Sequence, residues 1–180
     1  LEIMGNNIGS DDPDMYIQVN GIVALYSTGD SYIRNNHIFN IVQTYNNSDG
    51  LAGIRTFGSE GAVFAHNKIE NIINNTWWGS RGISVEGGST NKFVNNEVLL
   101  INSDGRYTTS TDNPVGIYVN GASNNKFLQN SVYLYGEFGS YSEMTACFMV
   151  DDDAVSSLDV RNNIFVNKME NDGEVGSYAI

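Results

Sequence analysis

A six-residue pattern, apolar-x-x-Asn-x-apolar, recurs six times along the 180 residues and limits the possible folds more than any other feature. It reads Ile3 to Ile8, Ile33 to Ile38, Phe64 to Ile69, Phe93 to Val98, Phe127 to Val132 and Val160 to Phe165. The shared residues are Asn6, Asn36, Asn67, Asn96, Asn130 and Asn163, spaced by 30, 31, 29, 34 and 33 residues. A second anchor precedes four of them by 14 or 15 residues: Gly21-Ile22, Gly53-Ile54, Gly82-Ile83 and Gly116-Ile117. In the fifth unit Ala146-Cys147 stands in its place, 17 residues ahead of Asn163. Self-similarity at such a period is the mark of a solenoid, in which each unit buries its apolar set on its neighbours.

Between the anchors lie small polar turns, such as Ser27-Thr28-Gly29-Asp30 and Gly121-Ala122-Ser123-Asn124. Each unit therefore reads strand, turn, strand, Asn corner, strand, variable loop. Apolar residues alternate within the strands, as in Ile83-Ser84-Val85-Glu86. No helical stretch separates the strands, which excludes βαβ units. With 25 Asn, 19 Gly and an apolar set of Ile, Val, Phe and Tyr, the chain also lacks the residues of a helix bundle. The expected fold is all-β: a right-handed, single-stranded parallel β-helix of about six coils of 29–34 residues. It forms one domain over 1–180, with coils starting near residues 21, 53, 82, 116 and 146. Asn tolerates the left-handed bend of a tight corner, and one amide every ~4.8 Å can bond the next, so the shared asparagines should form a ladder. Leu1 and Ile180 both fall in mid-coil, so the chain reads as a piece of a longer protein.

Both anchors, kept in step over the whole chain, resemble the parallel β-helix of the pectate-lyase-like superfamily. The resemblance implies an extracellular or cell-surface setting. For members that cleave acidic polysaccharides it implies a groove along the outward face of the first strand, with Ca²⁺ on acidic residues and Arg or Lys as base. Here that face would carry Val23 and Leu25, Arg55 and Phe57, Ser84 and Glu86, Tyr118 and Asn120, Phe148 and Val150. Arg55 and Glu86 should be neighbours, readable as a surface ion pair or as a catalytic pair. No convincing catalytic set is visible beyond them, so a lyase or hydrolase activity stays open. His37 and His66 flank the corner in consecutive coils near Lys68 and Glu97, which suits either acid–base work or plain exposed turns. Asp151, Asp152 and Asp153 are candidate Ca²⁺ ligands or a solvated acidic turn, as is the run Asp11-Asp12-Pro13-Asp14.

Variable loops on a rigid scaffold are where recognition concentrates. The loops after each third strand hold Tyr45 and Asp49, Trp77, Trp78 and Arg81, and Asp104, Arg106 and Tyr107. Aromatic faces that stack on pyranose rings, beside amides and carboxylates for hydroxyls, suit sugar binding. Phe39, Leu99, Ile101, Tyr133 and Tyr135 should face outward on the third strand, where loops, further coils or an oligomer partner would cover them. A net charge of −12 argues against nucleic acid, and no run of about 18 apolar residues could cross a membrane. Cys147 sits in an apolar run and reads as a small buried hydrophobe. The function these features suggest is polysaccharide recognition by the loop edge, within a carbohydrate-active protein. The charge favours a neutral glycan or a Ca²⁺-bridged acidic one. The alternative is a structural stalk or adhesin segment that binds protein partners without catalysis.

Overall fold

Residues one repeat apart are alike, so stacking the coils places like on like. In the computed structural model, which describes residues 1–45, 50–103, 112–137, 144–170 and 176–180, Phe64, Phe93 and Phe127 stack with ring centroids 4.8 Å apart and planes within 9°. Ile22, Ile54, Ile83 and Ile117 form a second buried column, and Ile38, Ile69, Val98 and Val132 a third. These columns are the inner walls of a parallel β-helix.

Three parallel six-stranded sheets run the length of the rod. The first holds Ile22–Leu25, Leu51–Phe57, Ser80–Glu86, Val115–Asn120, Met144–Val150 and Gly176–Tyr178. The second is built of three-residue strands: Glu2–Met4, Tyr32–Arg34, Val63–Ala65, Lys92–Val94, Lys126–Leu128 and Asp159–Arg161. The third holds Asn7–Ile8, His37–Gln43, Lys68–Asn74, Glu97–Ser103, Ser131–Glu137 and Ile164–Glu170. From the first to the sixth strand of the first sheet the chain makes five turns, slightly fewer than the six coils expected. A 3-10 turn at Pro13–Met15 lies ahead of the first sheet, and among the described residues no helix is long and apolar enough to cross a membrane.

Each anchor has a steric or hydrogen-bonding cause. A Cβ on Gly53, Gly82 or Gly116 would lie 2.3–2.4 Å from a methyl of Ile69, Val98 or Val132, the β-branched residue facing it across the core. The glycine thus makes room inside the coil. At the corner, the backbone N–H and Nδ2 of Asn67 both donate to Oδ1 of Asn96, at 3.1 and 3.0 Å. Asn96 repeats this to Asn130 at 3.0 Å and also donates from Nδ2 to the Phe64 carbonyl at 2.9 Å. The ladder runs from Asn6 to Asn163 without a break. A second polar rung stands at the opposite turn, where Asn91 accepts from Ala62 N–H at 3.0 Å and donates from its own N–H to Asn125 Oδ1 at 2.8 Å.

Several sequence expectations need correcting. The ladder asparagines do not take the left-handed bend; the residue before each does, namely Gly5, Asn35, His66, Asn95, Gln129 and Asn162, with φ between 54° and 66°. The bend turns the next residue inward, which is what buries the ladder amide. In the fifth coil Phe148, not Cys147, pairs with Ile117, so Phe148 faces the core rather than the solvent. Cys147 takes the glycine's place in the coil whose facing residue is Phe165 rather than Ile or Val. Ile101 is fully buried beside Ile72, not on the outward stripe, because Leu100 adopts φ 50° and adds one outward residue to the strand.

Replacing Asn96 by Ala should destabilise the fold by about 3 kcal/mol in urea unfolding, since partners on both sides lose their bonds. Asn6→Ala, at the exposed end of the ladder, should cost well under half of that; equal losses would contradict a cooperative ladder. Gly82→Ala should cost at least about 2 kcal/mol, and Val98→Ala in the double variant should restore little of it, because the added Cβ also lies 2.7 Å from the Gly116 carbonyl oxygen.

Candidate functional site: the groove on the first sheet

Strict alternation along the first sheet sends two columns outward. One runs Val23, Arg55, Ser84, Tyr118, Met149, and the other runs Leu25, Phe57, Glu86, Asn120. Arg55 Nη2 crosses one coil and donates to Glu86 Oε2 at 2.8 Å, which joins the pair expected from the sequence. Ser84 Oγ donates to the other carboxylate oxygen at 2.7 Å, and Arg81 Nη1 lies 3.5 Å from that same oxygen. The Arg81 guanidinium carbon lies over the Tyr118 ring, 3.9 Å from its centroid, and the residue is only 7% exposed. Tyr118 in turn donates to Asp151 Oδ2 at 2.7 Å and accepts from Asn120 Nδ2 at 3.2 Å.

This chain of contacts floors a groove of about 480 Å³, with Trp78 and Phe57 on its walls. Gly50, Gly87 and Gly121 also line it, and their lack of side chains keeps it open. Trp78 is brought there by a short loop tied to buried Asn74, which accepts from the backbone N–H and Oγ1 of Thr76 at 3.0 and 2.6 Å. Asn74 Nδ2 donates to the Gly79 carbonyl at 3.3 Å, and that carbonyl accepts from Leu51 N–H at 3.0 Å. The loop is thus pinned at both ends. Trp78 is half-buried over the groove, while its neighbour Trp77 is 41% exposed.

Protonation follows from these contacts. Burial pushes the Glu86 carboxyl up, but hydrogen bonds from Arg55 and Ser84 with the charges of both arginines outweigh it and hold it below its ordinary 4.5. Burial pulls the Arg81 guanidinium down, opposed by Tyr118 and Glu86. Tyr118 is pushed up to about 12, first by burial and then by the bond to Asp151. Near neutral pH Glu86 therefore stays charged and Tyr118 keeps its proton, a state suited to fixed hydrogen bonding. The charges of Arg55, Arg81, Glu86 and Asp151 sum to zero.

Other sequence candidates fall elsewhere. His37 and His66 do not share a column: His66 is exposed at the left-handed bend, whereas His37 lies on the third sheet with Nε2 2.5 Å from Glu70 Oε1. Lys68 and Glu97 stack on His37 in that sheet. The Asp151–Asp153 run diverges: Asp151 accepts from Tyr118, Asp152 accepts from Ala154 N–H at 2.7 Å to close a turn, and Asp153 is exposed. Asp12 caps the 3-10 turn through the Asp14 N–H. Among the described residues no three His, Cys, Asp or Glu gather as a metal-holding group. Tyr45 is 53% exposed and stands away from the groove; Asp49, Asp104, Arg106 and Tyr107 lie outside the described residues.

The sequence reading put Tyr118, Ser84 and Asn120 on the outward face without assigning them a part in the site. Register was the available signal, since Ser84 stacks on Arg55, Tyr118 on Ser84 and Asn120 on Glu86 in neighbouring coils. No family model, curated protein or solved structure matches this chain.

Glu86→Gln isolates the groove's electrostatics. A carboxyl held below its ordinary value adds stability at neutral pH and gives it up as pH falls through the depressed value. Calorimetry at pH 7 should find the variant about 2 kcal/mol less stable. The gap should close on acidification below 4.5. A gap that does not change with pH would mean that the Arg55–Glu86–Arg81 contacts contribute nothing as charges.

Proposed function

We propose that this chain is a glycan-recognition module, extracellular or cell-surface in setting, that binds a neutral polysaccharide in the groove of the first sheet. The observation that carries the reading is the placement of Trp78 beside a set of hydrogen-bonding groups already locked to one another. Trp78 lines the groove, and an indole in a groove suits the apolar face of a pyranose ring. Arg55, Glu86, Tyr118 and Asn120 offer fixed donors and acceptors for ring hydroxyls, with little side-chain entropy left to lose. The groove is lined by two arginines and one carboxylate, while the chain carries −12 overall. That field repels a polyanion and does not affect a neutral glycan. Glu86, held as the anion by Arg55, Ser84 and Arg81, is not poised as a general acid.

A second reading, a stalk segment that docks a protein partner, is favoured by one observation. Farther along the same sheet an apolar hollow of about 340 Å³ is lined by Met144, Ala146, Met149, Val150 and Tyr178. Isothermal titration against the best binder from a neutral-glycan array separates the two. Trp78→Ala should weaken binding at least tenfold, about 1.4 kcal/mol, whereas Trp77→Ala should change it less than threefold. Binding indifferent to Trp78→Ala removes the groove as the site.

A further inference from the structure

We propose that the third sheet carries a second glycan-binding groove, independent of the first, which makes the rod bivalent. The starting observation is a row of left-handed residues in the middle of three consecutive strands: Asn40, Asn71 and Leu100, with φ 52°, 57° and 50°. They occupy equivalent positions, because Ile41, Ile72 and Ile101 stay paired just after them. Each adds an outward residue between two buried ones, so the strands present Phe39-Asn40, Glu70-Asn71 and Leu99-Leu100 in adjacent pairs. The next coil lacks the extra residue: Val132 and Leu134 are both buried, and pairing with the preceding strand is recorded only as far as Leu99 with Tyr133. The sheet is bent over three coils and then straightens, and the bend encloses a groove of about 550 Å³ that ends against Tyr135. A bulge of this kind re-aims side chains.

Leu100 is what marks the groove as more than a consequence of folding. Asn71 Nδ2 donates to Asn40 Oδ1 at 2.6 Å, and Asn40 donates to the Ser10 carbonyl at 2.9 Å, so asparagine both tolerates the bend and is bonded there. Leucine in the same row gains no such bond and strains the backbone. Its side chain lines the groove instead. Strain kept in place to position a side chain in a cleft is typical of a binding site.

The chemistry of the walls selects the ligand. His37 stacks on Phe39 with ring centroids 4.7 Å apart and holds Glu70 through Nε2. Lys68 Nζ grips the other oxygen of Glu70 at 2.8 Å, which cancels the carboxylate's charge. Flat rings from Phe39 and Tyr135, amides from Asn40 and Asn71, the Glu70 carboxylate fixed by His37 and Lys68, and the Asp11 carboxylate, which accepts from Asn40 Nδ2 at 3.2 Å, suit a hydroxyl-rich chain with apolar ring faces and repel a polyanion, which favours a neutral polysaccharide. From Asn7 to Tyr135 the groove crosses four strand spacings, about 19 Å, which is room for several sugar units along the rod axis.

Native electrophoresis in gels containing hydroxyethyl cellulose, xyloglucan or galactomannan tests this, with wild type, Trp78→Ala, Glu70→Gln, Tyr135→Ala and Leu100→Asn compared in each. Wild type should be retarded by at least one polymer. Trp78→Ala should keep part of that retardation, and adding Tyr135→Ala or Glu70→Gln to it should abolish the remainder. Leu100→Asn gives a readout that a purely structural leucine would not: the melting temperature should rise as strain is relieved, while retardation in the Trp78→Ala background falls at least threefold. If Trp78→Ala alone removes all retardation, the second groove is refuted and the first stands. If Trp78→Ala has no effect and Tyr135→Ala removes all of it, the first groove is refuted and the second stands. Wild type that passes every gel unretarded, or retardation untouched by any variant, overturns both.

Discussion

Stacking at one strand spacing is the constraint on which the structure depends. Whatever faces inward in one coil meets its counterpart in the next about 4.8 Å away, so a core column must consist of residues that pack on themselves. Phe on Phe and Ile on Ile meet this condition through apolar contact. A buried amide meets it only if every donor and acceptor is used along the column, since an unmet polar group in the core costs about 1–3 kcal/mol. Asn has the right inventory. Its oxygen takes two N–H bonds from the coil before, and its Nδ2 divides its two hydrogens between the next Asn and a backbone carbonyl. The corner can therefore be tight and dry together.

Rigidity inside fixes the geometry outside. Where a strand of the first sheet alternates, as over 54–57 and 83–86 beyond its inward glycine, outward residues form straight columns, and partners are found one coil away and two positions along. Arg55 and Glu86 are such a diagonal pair. Where three coils share a left-handed residue in mid-strand, the outward face doubles and the sheet bends. Two differently shaped grooves thus arise on one scaffold, by alternation on the first sheet and by interruption on the third.

This difference also explains what could be read from the sequence. The coil, its three strands, the ladder and the Arg55–Glu86 contact all follow from period and alternation, which the two anchors make explicit. The misreadings occur where one residue breaks the period. Leu100 looks like an ordinary strand residue, yet its bend shifts Ile101 from the outside to the core. At Ala146-Cys147-Phe148 the spacing to the next Asn changes, and only the size of the side chains decides which residue fills the isoleucine column. The left-handed position was placed one residue late because Asn stands at both sites in three coils, at 35-36, 95-96 and 162-163. His66 and Gln129, which hold the bend without being Asn, carry no local sign of it. The contact of Arg81 with Tyr118 depends on a long side chain folding back across the sheet, which no spacing encodes.

The outward columns of the first sheet also show that their charges are not a demand of the fold. In the first coil the same two columns hold Val23 and Leu25, both about half exposed, and the strand pairs with its neighbour in the same register. An aliphatic pair therefore suffices to build a coil at these positions. Arg55, Arg81 and Glu86 are in addition partly or largely withdrawn from water, which costs desolvation that mutual attraction offsets only in part. A scaffold that needs neither the charges nor their burial, yet brings them together beside a pinned Trp78, has their positions explained by what they face.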